Sequence, residues 1–377
     1  MTAYDVVVIG LGAMGSAAVL HLARRGQRVL GLERFAPGHE HGSSHGATRM
    51  IRLGYFEHPS YVPLLRRTYA LWRELETAAA ERILHTTGIA EIGPPGGVLV
   101  SGTLAAARLH DLPHTVLGAA EVMQRFPAFR LPADYVGVVQ PDGGFLRVEP
   151  ALRVHLALAQ AAGAELRLGE TVNAIERRAG GVRIVTDRGR VDAGAAVLAA
   201  GPWVKKLLPD LPAPLRVTRQ VMAWFAPHDA ALFAAERFPV FLLESPHGMH
   251  YGFPADETGV KFAKHYHADE AVDPDASDPV VSVADEALIR PALADHLPQA
   301  NGRLLQAKTC LYTMTPDSDF IIDRLGPHVI VASPCSGHGF KFAPVVGEIV
   351  ADLATTGTTA YDISRFRLKR FAQATSA

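Results

Sequence analysis

The chain has 377 residues, of which 48% are hydrophobic, and its formal net charge at pH 7 is −1. This length suits about two domains, and the interspersed charges exclude a field of one sign that would attract a nucleic acid or an anionic membrane. Apolar runs fall short of the roughly 18 residues of a membrane span, and the sequence predicts no metal site. The two cysteines, Cys310 and Cys335, argue against a disulfide framework and for a reducing compartment. We therefore predict a soluble protein of the cytoplasm.

The N-terminus predicts a strand, a helix and a second strand in close succession. Residues 5–9 are a continuous apolar run after one aspartate, residues 16–25 have helical apolar spacing, and residues 28–32 form a second strand that ends on Glu33. Gly26 follows the helix, where a glycine commonly closes the last turn. Such a βαβ unit of about 30 residues is typical of dinucleotide-binding proteins.

Three glycines lie in the turn between the first strand and the helix. Gly10 permits the tight turn, Gly12 lets the backbone approach a pyrophosphate, and Gly15 lets the helix pack on the strand. The helix N-terminus adds free N–H groups for the phosphates. Glu33 lies where a carboxylate can accept hydrogen bonds from a ribose diol. The motif alone does not separate NAD from FAD.

The remaining elements follow from apolar periodicity and from turn residues. In chain order we predict a helix over residues 61–76, a helix over 150–162, two strands around the turn 187–190, a buried strand over 195–201, an antiparallel sheet within 217–314, a strand over 329–332, a glycine-rich loop over 333–342 and a helix over 344–353. The hairpin and the C-terminal loop favour a tightly held FAD.

Between about residues 86 and 147 the periodicity weakens, which we interpret as a change of domain. The sequence therefore predicts an α/β protein with a discontinuous FAD-binding, Rossmann-like domain of the glutathione-reductase type and a second, mainly antiparallel β-sheet substrate domain. We assign residues 1–85, 147–216 and 318–377 to the first domain and residues 86–146 and 217–317 to the second.

Four segments give the chain a resemblance to a known family. They are residues 42–52 (GSSHGATRMIR), residues 310–317 (CLYTMTPD), residues 336–341 (SGHGFK), and the weaker pair 251–254 (YGFP) and 259–265 (GVKFAKH). With the N-terminal motif, they resemble the family of monomeric sarcosine oxidase and N-methyltryptophan oxidase over essentially the whole chain. The resemblance implies covalently attached FAD and a monomeric oxidase.

In that family a cysteine in the position of Cys310 carries the FAD through a thioether to the 8α carbon of the flavin. A lone cysteine is otherwise most often a small buried apolar residue. Cys335 has no such match and is expected to be structural. The same resemblance places Ser43, Ser44 and His45 in the loop that lines the flavin, together with Gly337 and Gly339 of the C-terminal loop. The acid that the family often has after Gly46 is replaced by Ala47.

Arg52 matches the residue that binds the substrate carboxylate in that family, and Lys341 matches the lysine that assists it at the edge of the cofactor. A guanidinium suits a carboxylate bidentately, whereas a lysine supplies a point charge. Arg49 lies three residues before Arg52, so in an extended chain the two point to opposite faces. By resemblance Arg49 faces the flavin and is a catalytic residue.

Lys261 matches the lysine that activates O2 near the flavin in that family, and His265 matches an active-site histidine. An even offset would place both on one face of a strand. Lys264 is close enough to be the alternative match, and a lysine on a sheet is more often solvated. Tyr251 and Tyr312 resemble tyrosines of the substrate pocket, although each could be a core aromatic residue.

The resemblance implies an FAD-dependent oxidase of small secondary amino acids, either N-methyl or cyclic, that produces an imine and H2O2. The implied partners are therefore the small amino acid and O2. One alternative is an FAD dehydrogenase subunit that passes electrons to a partner protein, and such chains are not expected to carry the Cys310 motif. An NAD-dependent dehydrogenase would need a separate catalytic domain that the pattern does not show. A nucleotide-binding module without activity is the third alternative.

Overall fold

The computed structural model describes residues 4–36, 38–333 and 336–371. The α-helices in this part of the chain are α1 Ala13–Arg24, α2 Val62–Ala79, α3 Val98–Leu109, α4 Ala119–Arg125, α5 Val148–Ala161, α6 Val204–Leu207, α7 Val283–His296 and α8 Ala343–Thr355. The strands are β1 Tyr4–Ile9, β2 Val29–Glu33, β3 Thr48–Ile51, β4 Leu84–Thr86, β5 Ile89–Gly93, β6 Thr115–Gly118, β7 Val136–Gln140, β8 Gly144–Arg147, β9 Glu165–Leu168, β10 Val172–Arg178, β11 Gly181–Thr186, β12 Gly189–Leu198, β13 Arg216–Phe225, β14 Val240–Ser245, β15 Gly248–Asp256, β16 Gly259–Lys264, β17 Leu304–Met314, β18 Ile322–Arg324 and β19 Val329–Ala332.

The first sheet has the order β10-β11-β12-β1-β2-β9, with β19 paired to β12 and β18 paired to β19. Strands β19, β12, β1, β2 and β9 run parallel, whereas β10 and β11 form an antiparallel hairpin beside β12. The strands predicted at residues 5–9, 28–32 and 329–332 lie in it, whereas the separate strand predicted at 195–201 is the end of β12, which continues from the hairpin turn and stops at Leu198. Parallel strands need both faces covered, and helices α1, α2, α5 and α8 pack in the apolar core on one of them.

Helix α1 begins at Ala13, three residues before the predicted start. The glycine loop leads directly into the helix. Residues 13–15, which we had assigned to that loop, therefore form the first helical turn of α1. Gly10 has a φ of +88°, and a side chain at Gly15 would lie 1.7 Å from the Gly10 carbonyl oxygen. The strand and the helix can therefore approach this closely only because both positions are glycine.

The second sheet has the order β17-β13-β16-β15-β14-β5-β7-β6, and a third, smaller sheet has the order β3-β8-β4. Within the second sheet only β14 and β5 pair in parallel among the described strands. This confirms the mainly antiparallel sheet. One of its faces packs on α4 and α7 through a core rich in phenylalanine. The strands of the first sheet fall within residues 4–33, 165–198 and 322–332; the domain boundaries themselves stay a prediction.

One prediction within residues 217–314 was incomplete. Short strands and polar turns were expected throughout, but residues 283–296 form helix α7. Ser282 and Asp285 form a capping box, in which each side chain bonds the other residue's backbone N–H. Pro291 lies inside this helix and weakens its signal in the sequence.

Candidate active site

A cavity of about 1020 Å³ lies between the two large sheets. Its walls come from the β1–α1 turn, the loop before β3, strands β14, β15 and β17, and the loop that leads into α8. The volume is at the upper end of the range for small-molecule pockets. It is therefore large enough for a cofactor together with a small substrate.

The glycine turn and Glu33 form one end of this cavity. The Glu33 carboxylate accepts hydrogen bonds from the backbone N–H of Leu11 at 2.8 Å and of Phe35 at 3.1 Å. These bonds fix the carboxylate beside the turn, as a ribose-binding acid requires. A side chain at Gly12 would lie 3.2 Å from the Ser44 hydroxyl oxygen, so the bare backbone leaves a cradle at the start of α1.

The loop before β3 joins this end to the rest of the cavity. The Ser43 hydroxyl donates to the Leu311 carbonyl, and the Ser44 hydroxyl accepts from the Ala13 N–H at 3.1 Å. His45 is buried behind the wall, beside the Gly42 backbone. Burial, with the nearby Arg49 charge, lowers the pKa of His45 to about 3, so the ring is neutral.

Arg49 lies on β3 and lines the cavity. Its guanidinium donates to the carbonyls of Thr48 at 2.9 Å and Ser43 at 3.0 Å. Because both acceptors are uncharged, the side chain is held in place while its charge stays available to an anionic or polar ligand. Arg52 follows the last residue of β3 and has different partners, but both arginines line the same cavity, so the spacing does not separate them onto opposite sides.

Cys310 lies on β17, lines the cavity and is buried against Met222 and Trp224. Burial raises the pKa of its thiol, while Arg49 and Lys261 act in the opposite direction. Burial therefore favours the neutral thiol, and the two cations reduce this effect without reversing it. Cys335 lies outside the described residues.

Lys261 is buried behind the cavity wall. Its ammonium group donates to the carbonyls of Gly46 at 2.7 Å and Thr48 at 2.9 Å, and it lies over the rings of Trp224 and Phe253 at 5.1 and 4.9 Å. Burial lowers the pKa of Lys261 well below its usual value, and Arg49 adds to this effect. The two carbonyl oxygens and the two aromatic rings act in the opposite direction, because they favour the ammonium form.

His265 and two tyrosines converge on the cavity. His265 follows the last residue of β16, and its Nδ1 lies 3.3 Å from the Tyr312 hydroxyl. Burial lowers the pKa of His265 to about 3 and raises that of Tyr251 to about 12, so both are neutral at pH 7. Lys264 pairs with His250 in the register and does not line the cavity.

Gly337 makes the approach of the tyrosine possible. It has a φ of +82°, and a side chain there would lie 2.4 Å from Tyr312 Cε2. Gly339 also lines the cavity and precedes the short 3-10 helix Phe340–Phe342, which contains Lys341. The C-terminal loop therefore meets the antiparallel sheet at this point.

Arg52 and Lys341 are brought together around one aromatic ring. The Arg52 Cζ and the Lys341 Nζ lie 4.2 and 5.1 Å from the centroid of the Tyr55 ring. Both side chains are buried and both line the cavity. The Lys341 ammonium donates to the His338 carbonyl at 2.6 Å. The structure thus gathers two buried cations that are far apart in the sequence.

Two acids near Arg52 were not found from the sequence. Glu57 accepts two hydrogen bonds from Arg52 Nη2, at 2.7 and 2.8 Å. Burial would raise the pKa of Glu57, but Arg52 and other cations outweigh it and lower the pKa below its usual value. Glu91 lies 3.6 Å from Arg52 Nη1 and is fully buried. Neither acid belongs to a recognisable motif, although a charged residue within an apolar strand such as β5 is a signal.

Two further residues support this corner of the cavity. The hydroxyl of Tyr55 lies 2.6 Å from His338 Nδ1, and His338 Nε2 lies 2.9 Å from the Ser318 carbonyl oxygen. Burial lowers the pKa of His338 to about 4.

Within residues 4–36, 38–333 and 336–371, no cluster of three or more metal-binding side chains is present.

Comparison with known proteins places these features in context. The family of FAD dependent oxidoreductases matches residues 5–353. The chain is 43% identical to the monomeric sarcosine oxidase of Streptomyces avermitilis, covering 98% of both chains. It is 40% identical to the N-methyl-L-tryptophan oxidase of Salmonella agona, covering 98% of this chain and all of the other. Over the described residues, no helix is long and apolar enough to cross a membrane.

Solved structures agree with the fold. NikD, an amino acid oxidase essential for nikkomycin biosynthesis, superimposes in its open form with a TM-score of 0.85 at 34% identity, covering 97% of this chain and 98% of NikD. The glycine oxidase of Geobacillus kaustophilus gives a TM-score of 0.81 at 20% identity over 98% and 99% of the two chains, which shows the shared fold alone.

Proposed function

Because the chain belongs to the family of FAD dependent oxidoreductases, we propose that it is an oxidase of small secondary amino acids, either N-methyl or cyclic. In such a substrate the carboxylate and the amine are attached to the same carbon atom. The relatives named for sarcosine and N-methyl-L-tryptophan oxidation support this substrate class. The alternative of a dehydrogenase subunit is kept as an outcome of the experiment below.

The observation that carries the proposal is the pair of buried cations around Tyr55. Arg52 and Lys341 both line the cavity, and the acid that contacts Arg52 there is Glu57. A buried charge is costly unless it is compensated. A substrate carboxylate that replaces Glu57 on Arg52 would keep the guanidinium paired and also benefit from Lys341.

The other end of the cavity fits the dinucleotide part of FAD. The bare backbone at Gly12 and the fixed carboxylate of Glu33 suit a pyrophosphate and a ribose, and Arg49 and Cys310 suit the flavin end. When bound, FAD would accept two electrons from the CH–NH group of the substrate, which becomes an imine, and O2 would take these electrons up. The chain's own residues bind and orient the substrate.

We further propose that Cys310 holds FAD covalently. Its burial on the cavity wall and the cations Arg49 and Lys261 nearby support this. Joining Sγ to the flavin 8α carbon removes one hydrogen from the thiol and one from the methyl group. Two electrons leave with these hydrogens, and O2 takes them up as H2O2, so the step balances.

Neutral side chains would surround the substrate amine. His265, Tyr251 and Tyr312 line the cavity beyond Arg52, and burial keeps each of them uncharged. An uncharged amine is the form that can be oxidised, and uncharged neighbours do not favour its protonated form. We propose Lys261 as the cation that assists O2, supported by its place beside Arg49 and behind the wall that bears Cys310.

The test is anaerobic reduction of the purified holoenzyme by sarcosine, L-proline, L-pipecolate and N-methyl-L-tryptophan, followed by exposure to air. An oxidase is reduced by at least one of them and is re-oxidised by O2 with one H2O2 per substrate. Reduction without rapid re-oxidation by O2 would favour the dehydrogenase subunit. No reduction by any of the four would overturn the substrate class.

Three further features complete the proposal, of which the oligomeric state follows from the resemblance and the other two from the sequence pattern. We propose that the protein works as a monomer, that it is located in the cytoplasm, and that the FAD-binding and substrate domains have the predicted boundaries. Sedimentation equilibrium of the holoenzyme across a range of concentrations tests the first, since a monomer gives a mass close to 40.4 kDa at every concentration and a dimer gives twice that mass.

A further inference from the structure

Glu91 is a buried acid that the proposed reaction does not use. It lies in the middle of β5 and is 0% exposed. Among the described residues Arg52 is the opposite charge that contacts it, at 3.6 Å, with the Thr103 hydroxyl nearby, and neither carboxyl oxygen meets the geometry of a full hydrogen bond. A buried carboxyl that is so weakly compensated is costly, so native proteins rarely keep one without a function or a matching ligand.

The register of the sheet directs Glu91 towards the active site. Glu91 pairs with Leu242 on β14, and Leu242 pairs with Tyr251 on β15. Directly paired residues place their side chains on the same face of a sheet. Leu242 and Tyr251 line the cavity, so Glu91 points to that face, where its Oε1 lies 3.6 Å from Arg52 Nη1.

Few charged groups face this carboxyl. Arg52 and Glu57 approach it from the segment after β3, and α3 presents the Thr103 hydroxyl. The neighbouring strands β7 and β14 present Val138 and Leu242. Burial raises the pKa of Glu91 to about 8, while Arg52 and Thr103 act in the opposite direction. At pH 7 the group is therefore mostly protonated, and Glu57 neutralises Arg52.

We propose that Glu91 is a positioning residue that couples carboxylate binding at Arg52 to a proton. When Glu91 is protonated, the guanidinium is available to the substrate carboxylate. When Glu91 is ionised, it pairs with Arg52 itself and repels the incoming anion. The inference rests on the proposed function, because it needs a carboxylate ligand at Arg52.

The sign of the pH dependence follows from linkage. A bound anion favours protonated Glu91, so binding takes up a proton wherever the free enzyme has lost it. Below the pKa of about 8 the affinity is constant. Above it, the Kd rises up to about tenfold per pH unit. Glu91→Gln keeps the side chain neutral at every pH and should therefore remove this rise of Kd above pH 8, which we call the alkaline limb.

The experiment titrates the holoenzyme with methoxyacetate between pH 6.5 and 9.5, and follows the flavin absorbance. This ligand is sarcosine with an ether oxygen in place of the amine, so it has no amine to titrate. In the wild type the Kd at pH 9.5 should exceed that at pH 7 by about tenfold or more, and in Glu91→Gln by less than threefold. Glu244→Gln is the matched control, because Glu244 lies on β14 and binds the backbone of α3 outside the cavity. It should keep the wild-type ratio.

Proton uptake on binding gives a second readout that needs no variant. At pH 8.5 the wild type should take up a measurable fraction of a proton per methoxyacetate bound. A wild-type Kd that stays flat to pH 9.5, or a Glu91→Gln variant that keeps the alkaline limb, overturns the role of Glu91 alone. If methoxyacetate does not bind at any pH, the carboxylate pocket of the proposed function is wrong.

Discussion

Glu57 occupies Arg52 where a substrate carboxylate is expected to bind, so Glu57→Gln should increase the affinity for carboxylate ligands. The acid holds the guanidinium through two hydrogen bonds of 2.7 and 2.8 Å. Hydrogen bonds to a charged group contribute roughly 1.5–3 kcal/mol, and neutral ones roughly 0.5–1.5 kcal/mol. The midpoints of these ranges differ by about 1.25 kcal/mol, so the substitution weakens the competitor by about this amount, which corresponds to about eightfold tighter binding of the ligand.

The same change should lower the stability of the ligand-free protein, because it removes the ionised acid that is hydrogen-bonded to Arg52 and leaves only the more weakly placed Glu91. The assay is the Kd of methoxyacetate at pH 7 together with the Tm with and without this ligand. The variant should show a lower Tm alone and a larger rise in Tm on binding. An unchanged or weaker affinity, with no extra stabilisation by the ligand, would refute the idea that Glu57 and the substrate compete for Arg52.

The remaining predictions concern the cofactor, O2 and pH. Cys310→Ala should release all FAD into the supernatant on acid precipitation, whereas the wild type should give a yellow pellet; free FAD from the wild type would rule out covalent attachment. A cation about 4 Å from the negative charge that develops on O2 stabilises that charge by roughly 4 kcal/mol at an effective dielectric near 20. Lys261→Met should therefore slow the re-oxidation of the reduced enzyme, measured by stopped flow, by at least a hundredfold. Lys264→Met is the control for this variant and should be re-oxidised at the wild-type rate. If Lys264→Met were slow and Lys261→Met were not, Lys264 would be the residue that assists O2. Because the pKa of His265 is about 3, titration of this residue should not change the rate of anaerobic reduction between pH 5 and 9. A change of that rate with pH in this range that disappears in His265→Asn would contradict the neutrality of His265.

The sequence predicted the elements that have strong local signals. The glycine turn with its flanking strands was found because each glycine has a separate steric reason to be there, and Glu33 follows at a fixed spacing. Helix α7 was missed because Pro291 interrupts it. Helix α3 was missed because its residues are apolar on most sides, which hides the helical period.

Some residues of the active site were predicted from the sequence, and others could be recognised only in the folded chain. Arg49, Arg52 and Lys341 were found by resemblance, and the structure places all three at the cavity. Glu57 and Glu91 could not be found, since their significance arises only when the segment after β3 folds against β5 and the two acids meet one guanidinium. The burial that makes Lys261 and His265 chemically unusual is likewise a property of the folded chain. Spacing can suggest that two residues share a face, but it cannot report what surrounds them.

The most direct test of the central claim is stoichiometric. Purified holoenzyme is given limiting sarcosine or L-proline in air, and O2 consumption and H2O2 production are measured together, with formaldehyde measured for the N-methyl substrate. We expect one O2 to be consumed and one H2O2 to be formed for each molecule of at least one of these amino acids. Oxidation that consumes no O2 and needs an added electron acceptor would contradict it.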